Sequence, residues 1–218
     1  MEQTASTGKR DSYHHGDLRA QLIEATRALV EEKGPDHFSV SEACRRAGVS
    51  TAAPYKHFKD KDEMLRAVAL EGMRRQRDQM RVELESYAPG TLERIVALGR
   101  VYVRFAVTEP GVFRLMFGLS ETHADHGELV DTGNSTFMVV QQEVARCRGG
   151  ETVEDGDMHL AFLLWSFVHG LSFLTIDGKL AEKSLPVDIE KTLEDIALRV
   201  VGPSMGPTRL PGVETPSG

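Results

Sequence analysis

The sequence predicts an all-α protein, in which a small helix-turn-helix domain precedes a larger helical domain. Apolar residues recur at helical spacing along most of the chain, as at Leu18, Leu22, Ala25 and Leu29. Pairs of glycine and proline divide these stretches, and the alternation of apolar and polar residues that marks a β-strand is missing from the sequence. A succession of amphipathic helices is therefore the expected architecture.

Length and composition restrict the class of protein. The chain of 218 residues has room for two domains, and its 40% hydrophobic and 27% charged residues are typical of a soluble globular protein. Two cysteines are too few for a disulfide framework or a zinc cluster. The sequence has no uninterrupted apolar run of about 18 residues and no apolar signal region near its start. We therefore expect a cytoplasmic protein without a membrane segment.

The net charge of −7 argues against nucleic-acid binding, because contacts to phosphate need basic side chains. The charge is unevenly distributed, however. Residues 1–82 carry a net +2 and residues 83–218 a net −9, and residues 39–61 hold five basic residues against two acidic ones. This distribution favours a nucleic-acid contact in the N-terminal part and disfavours one in the C-terminal part.

The N-terminal helices are delimited by caps and breakers. The helix that begins at Leu18 precedes a Gly-Pro pair. Ser39 and Glu42 have the spacing of a capping box, which opens a short helix that stops at Gly48. Ser50 is expected to cap a second short helix. Two short helices separated by a turn of three or four residues with a glycine are typical of a DNA-binding helix-turn-helix.

The remaining helices follow from the same signals. Pro54 lies four residues after the expected cap, where a proline costs far less than the ~3 kcal/mol of a helix interior. Asp60 and Glu63 repeat the capping-box spacing and open a long helix that runs to about Ser86. Beyond it we expect five more helices, at residues 92–108, 111–119, 129–148, 153–175 and 188–201.

The second short helix would enter the major groove with its N-terminal residues leading. Hydroxyl groups there can bond to base edges, an alanine methyl can contact a thymine methyl, and the donors that follow suit phosphate oxygens. Lys61 begins the next helix, where free amides also attract phosphate. The candidate DNA contacts are Ser39, Arg45, Ser50, Thr51, Ala52, Tyr55, Lys56, His57 and Lys61. An ordinary helical hairpin with solvated charges is the alternative.

Several segments resemble a known family. Residues 39–50 (SVSEACRRAGVS) and 54–65 (PYKHFKDKDEML) closely resemble the N-terminal domain of the tetracycline-repressor (TetR) family of transcriptional regulators. Residues 13–19 (YHHGDLR) and 165–170 (WSFVHG) resemble a subset of that family whose C-terminal domain carries a Trp…His-Gly signature. Ala53-Pro54 departs from the glycine-containing start that is common in the family's recognition helix.

The resemblance implies a homodimer that binds a palindromic operator, represses transcription and is released by a small-molecule inducer. It implies a helix-turn-helix DNA-binding domain at residues 13–70 and a domain for ligand binding and dimerisation at 71–202. Residues 1–12 are interpreted as a flexible arm and 203–218 as a disordered tail. A helical small-molecule carrier or protein-interaction module without DNA binding is the alternative function.

A ligand pocket would be lined by aromatic, methionine and histidine side chains of the middle helices, which suit a mostly apolar ligand oriented by a few polar groups. The candidates are Phe105, Phe113, Met116, Phe117, Phe162, Trp165 and His169. The alternative for each is a place in the core. Apolar stripes at residues 158–174 and 189–201 face either the core or a partner subunit.

The eight histidines invite a metal or catalytic interpretation. His123, Asp125, His126 and Glu128 lie close together in the sequence, and they could form a weak metal site. No other motif in the sequence has the residue spacing that is typical of metal ligands. Hydrolase, nucleotide-binding and dinucleotide-binding motifs do not occur. We therefore expect no enzyme activity, no metal and no cofactor, with a metal-dependent hydrolase as the remote alternative.

Overall fold

The computed structural model describes residues 18–119, 127–183 and 186–202. These residues form helices and turns without a strand, which confirms the predicted all-α class. Two short 3₁₀ helices, Pro35–His37 and Pro54–Lys56, accompany the α-helices. The α-helices are α1 Leu18–Lys33, α2 Val40–Ala47, α3 Lys61–Leu84, α4 Leu92–Thr108, α5 Pro110–Gly118, α6 Gly127–Cys147, α7 Asp155–Ile176, α8 Lys179–Glu182 and α9 Ile189–Val201.

Capping residues place most helix ends where the sequence predicts them. The Asp188 carboxylate accepts a hydrogen bond from the Lys191 amide at 3.1 Å and starts α9. Helix α4 has the expected bounds, and both ends of α6 and of α7 lie within two residues of the predicted bounds. The arm at 1–12 and the tail at 203–218 lie outside the described residues, as do His123, Asp125 and His126.

The described residues form two compact units. Unit 1 comprises the chain up to Arg75 together with the part of 108–132 that the structure describes. Its core includes α1, α2 and the first half of α3, and its buried side chains include Leu22, Leu29, Val30, Ala43, Cys44, Met64 and Val68. This core fixes the region that the sequence assigns to DNA binding.

Helix α5 packs within unit 1 through a close backbone approach. A Cβ atom on Gly111 would lie 2.7 Å from the Val30 carbonyl oxygen, so only glycine fits there. The Glu31 carboxylate accepts hydrogen bonds from the Gly111 amide at 3.0 Å and the Val112 amide at 2.7 Å. A carboxylate at a helix N-terminus satisfies free amides and complements the helix dipole. Helix α1 therefore caps α5.

Unit 2 comprises residues 76–107 and the described residues from 133 onward. Arg94 is a central polar residue in it. Its guanidinium donates to the Leu84 and Tyr87 carbonyls at 3.1 and 3.0 Å and pairs with Glu143, whose side chain is 3% exposed. This buried ion pair, together with the two bonds to carbonyls, joins the end of α3 to α4 and α6.

Helix α7 exposes much of its apolar surface within unit 2. Phe162 is 51% exposed, and Met158, Leu163, Trp165 and Leu174 are also exposed. Among the described helices, α7 is the one that is long and apolar enough by composition to cross a membrane. The sequence predicted no membrane segment here, because polar residues interrupt the apolar run of this helix. Core helices of soluble proteins have the same length and composition, so this finding is weak evidence for a membrane segment.

Candidate nucleic-acid interface

The turn after α2 has the geometry that the sequence predicts. The Ser39 hydroxyl accepts from the Glu42 amide at 3.3 Å, and Gly48 ends the helix in the left-handed conformation at φ 70°. The Val49 amide then donates to the Cys44 carbonyl at 2.9 Å. Because glycine has no Cβ atom, the left-handed conformation costs it little energy, and Gly48 therefore permits the tight turn. The Glu42 carboxylate pairs with Lys33 Nζ at 2.5 Å.

The second α-helix of the predicted helix-turn-helix is replaced by a turn and a 3₁₀ helix. The Ala53 amide donates to the Ser50 carbonyl at 3.0 Å, and the His57 amide donates to the Pro54 carbonyl at 2.8 Å. Pro54 has no N–H to donate to the Ser50 carbonyl, so an α-helical bond cannot form there. The expected α-helix is therefore wrong in this respect, although the Phe58 amide still donates to the Pro54 carbonyl at 2.8 Å with four-residue spacing.

Eight of the nine predicted DNA contacts are nevertheless exposed in unit 1. Tyr55 is 64% exposed and the Arg45 side chain is 80% exposed. The other exposed members are Ser39, Ser50, Thr51, Ala52, Lys56 and His57. The buried residues Pro54 and Phe58 anchor this stretch to the core of the unit. Hydroxyl, phenol, imidazole and ammonium groups thus lie on a short segment with two buried anchors, and such groups can contact the phosphates and base edges of a duplex.

Lys61 lies differently from the other candidates. It is half-buried, its Nζ sits 4.9 Å from the centre of the Phe38 ring, and it donates to the Asp36 carbonyl at 3.4 Å. The start of α3 is already occupied by carboxylates, because Asp60 accepts from the Glu63 amide at 2.7 Å. An amide-based phosphate site at this helix start is therefore less accessible than the sequence suggested.

One exposed cation near this surface is absent from the predicted set. Lys59 is exposed, and its backbone amide is fixed by the Glu63 carboxylate at 2.6 Å. Its side chain forms no hydrogen bond or ion pair with the residues that the structure describes. Lys59 lies between the predicted contacts His57 and Lys61 in the sequence, and this position could have added it to the predicted set.

The candidate ligand residues divide between the two units. In unit 1, Phe113 and Met116 are buried in α5 and Phe117 is at its surface, with the Phe113 and Phe117 ring centres 5.1 Å apart. In unit 2, Phe105 is 1% exposed, and Phe162, Trp165 and His169 lie along α7.

Within unit 2, a hydroxyl that the sequence reasoning missed joins two of these candidates. The Trp165 indole N–H donates to Tyr102 Oη at 3.3 Å, and Tyr102 Oη lies 2.8 Å from His169 Nδ1. Phe173 packs edge-on against His169 with ring centres 4.9 Å apart. We call Tyr102, Trp165 and His169 the aromatic triad. Only the folding of α4 against α7 reveals the role of Tyr102.

Burial controls the protonation of the aromatic triad. It lowers the pKa of His169, because desolvation disfavours the imidazolium, and it raises the pKa of Tyr102 well above the ordinary tyrosine value. Both groups are therefore neutral near pH 7. A neutral His169 that accepts the Tyr102 proton at Nδ1 carries its own proton on Nε2, which makes that nitrogen a hydrogen-bond donor.

Two family models match the chain over much of its length. Residues 22–68 match bacterial regulatory proteins of the tetR family, and residues 95–200 match the tetracyclin repressor-like C-terminal domain. This chain belongs to the TetR family. The members of this family are transcriptional regulators, and the N-terminal match contains every candidate DNA contact. The TetR resemblance inferred from the sequence is thereby confirmed.

Individual relatives agree with the family. The HTH-type transcriptional regulator BetI of Cronobacter sakazakii is 33% identical over 81 residues, which are 37% of this chain and 40% of that protein, so less than half of the relative is matched. A protein of unknown function from Rhodococcus sp. RHA1 has a TM-score of 0.75 at 27% identity, over 89% of this chain and 100% of that one.

A tetR-family transcriptional regulator from Streptomyces coelicolor is 16% identical, with a TM-score of 0.65 over 84% of this chain and 78% of that one. At this identity the likeness concerns the fold alone.

Proposed function

We propose that this TetR-family chain is a repressor that binds a palindromic operator as a homodimer and is released by a small molecule. The observation that carries the proposal is the exposed polar surface around residues 50–57, held by the buried Pro54 and Phe58. We further assign the chain to the subset with a Trp…His-Gly C-terminal signature, since Trp165 and His169 share one polar cluster with Tyr102.

Charge supports an N-terminal DNA contact. Residues 1–82 carry a net +2, and residues 83–218 carry a net −9. A duplex is attracted to the first part and repelled by the second. On this basis residues 13–70 act as the DNA-binding domain, and 71–202 form the domain for ligand binding and dimerisation. The regulator works in the cytoplasm, where its operator lies, and we assign it no catalytic activity.

A homodimer is supported by apolar side chains that α7 and α9 leave exposed. Phe162 is 51% and Leu198 is 57% exposed, which is unusual for large apolar groups on neighbouring long helices of a soluble protein. A second copy that covers them would bring two DNA-binding surfaces together. A palindromic operator then requires these surfaces to be about one helical turn of DNA, ~34–36 Å, apart.

An inducer is supported by the aromatic triad, which offers polar groups on a largely apolar wall. A ligand that binds one arrangement of the dimer more tightly shifts the population toward it. The cap that Glu31 places on α5 gives α1 a defined contact with the segment that directly follows α4 in the chain. A movement of α5 would therefore displace or break its hydrogen bonds to Glu31 of α1.

The DNA contact is tested by salt-dependent binding. Replacing Lys56 with Gln should lower the slope of log affinity against log salt by about one unit, because one phosphate contact releases about one counterion. The affinity should fall for every sequence alike. The measurement is fluorescence anisotropy with the DNA upstream of the chain's own gene, at several salt concentrations.

Lys183→Gln is the matched control, because Lys183 is an exposed cation in unit 2 and the DNA surface lies in unit 1. An unchanged slope for Lys56→Gln would remove Lys56 from the interface. Failure of the unaltered protein to protect any two-fold symmetric site would contradict the dimeric repressor and favour a carrier without DNA binding.

A further inference from the structure

Unit 2 contains a groove that none of the candidate ligand residues lines. It encloses about 360 Å³ between the second half of α3, the start of α4 and the middle of α6. Met80, Leu84 and Val139 form its apolar floor, and Met80 and Leu84 are 4% and 6% exposed. This volume is at the lower end of the range for small-molecule sites.

Three guanidinium groups line the groove, and two of them have partners. Arg94 pairs with Glu143, which also pairs with Arg146, and donates to two carbonyls, as described above. Arg81 pairs with Glu85 across 3.2 Å at the rim. Each of these two guanidiniums therefore has a carboxylate partner within the protein itself.

Arg77 is the uncompensated cation of the groove. It is half-buried and forms no hydrogen bond or ion pair with any residue that the structure describes. A guanidinium that is partly withdrawn from water and adjoins apolar surface attracts a carboxylate or a similar oxyanion, which it can bind with two parallel hydrogen bonds. Asp78 also lines the groove, but it is exposed, so solvent screens its repulsion.

We propose that this groove is a binding site for a small amphipathic monoanion. The anionic group pairs with Arg77, and the apolar body lies on Met80, Leu84 and Val139. The site is separate from the aromatic triad, and its existence does not depend on DNA binding or on an inducer at that triad. Because α3 begins beside the candidate DNA surface, an occupant that contacts its second half touches a helix that both functions share.

The probe is octanoate, compared with octanol and octylammonium, which keep the same chain and change only the head group. Isothermal titration calorimetry on the full chain should show octanoate binding at least about tenfold more tightly than the other two, because only it can pair with Arg77. Octanoate affinity should fall as salt is added. Equal affinity for octanoate and octanol would overturn the proposal.

Variants locate the site. Arg77→Gln should weaken octanoate binding at least about tenfold, whereas Arg77→Lys keeps most of the affinity and Lys183→Gln leaves it unchanged. Val139→Trp should abolish binding without altering any charge, since it fills the groove. Circular dichroism confirms that each variant is folded. Undiminished octanoate binding by Arg77→Gln, or by a folded Val139→Trp, would refute this site.

Discussion

At the scale of single residues, the aromatic triad depends on one proton arrangement. Trp165 only donates, so Tyr102 Oη accepts from it and has a proton to give to His169 Nδ1. Because burial lowers the pKa of His169, the folded protein holds the imidazole neutral more strongly than the unfolded chain does. Protonation of His169 would remove the acceptor that Tyr102 uses.

The depressed pKa predicts a pH dependence of stability. The unfolded chain binds the proton of His169 at higher pH than the folded protein does, so this contribution is complete above about pH 6.5. It is lost as the pH falls from there through the lower pKa of the folded state. His169→Asn should flatten this part of the curve of unfolding free energy against pH, measured by urea denaturation between about pH 5 and 8.

Trp165 provides an independent measurement, since it is the one tryptophan in the sequence and its ring centre lies 5.5 Å from that of His169. Its fluorescence should change with a midpoint at the pKa of His169 in the folded protein. The His169→Asn variant should lose that change. His159→Asn, on the exposed surface of the same helix, is the control. A fluorescence titration that persists in His169→Asn would contradict the assignment.

At the scale of elements, caps and breakers explain why most helices could be predicted. Ser39, Gly48 and Asp188 act through bonds that reach only three to five residues along the chain, so their effect is visible in the sequence. The helix predicted after Ser50 was wrong because Pro54 removes one amide donor, and the surrounding amides bond with a mixture of three- and four-residue spacing. The competing α and 3₁₀ forms differ by too little for pattern reasoning to separate them.

The contact between α1 and α5 gives an element-scale prediction. Gly111→Ala should lower the free energy of unfolding by about 1–3 kcal/mol, because its Cβ would meet the Val30 carbonyl at 2.7 Å. It should also weaken the Glu31 cap of α5. Thermal or urea denaturation of the purified variant measures the change.

Gly118→Ala is the matched control on the same helix, because nothing lies within 4 Å of a Cβ at Gly118. It should leave stability almost unchanged. If both alanine variants were equally stable, the close approach of α5 to Val30 would not exist in solution.

At the scale of the whole molecule, the N-terminal and C-terminal parts of the chain differ in net charge and in exposed apolar surface. Basic residues accumulate near the candidate DNA surface and acidic residues in the C-terminal part. Large exposed apolar groups occur on α7 and α9, where Phe162 and Leu198 are each more than half exposed. Both observations agree with the proposed regulator, which has separate surfaces for DNA and for its own second copy.

Self-association through α7 and α9 predicts that Leu198→Glu weakens the dimer by at least about tenfold, because a buried unpaired carboxylate costs more than 1.4 kcal/mol. Sedimentation equilibrium measures the dissociation constant. Met138→Glu is the control, since Met138 is 64% exposed on α6, outside the proposed interface. A dimer that tolerates Leu198→Glu but not Met138→Glu would place the interface on α6.

The sequence by itself determined the helical class, most helix bounds and the TetR resemblance, and it proposed the DNA-binding segment, because each depends on neighbouring residues or on summed charge. Only the tertiary structure decided which side chains meet. Tyr102 reaches His169 across 67 residues of chain, and Glu31 reaches Gly111 across 80. The uncompensated Arg77 likewise becomes visible only when α3, α4 and α6 enclose it. Such contacts depend on how the helices pack, and local periodicity does not encode their partners.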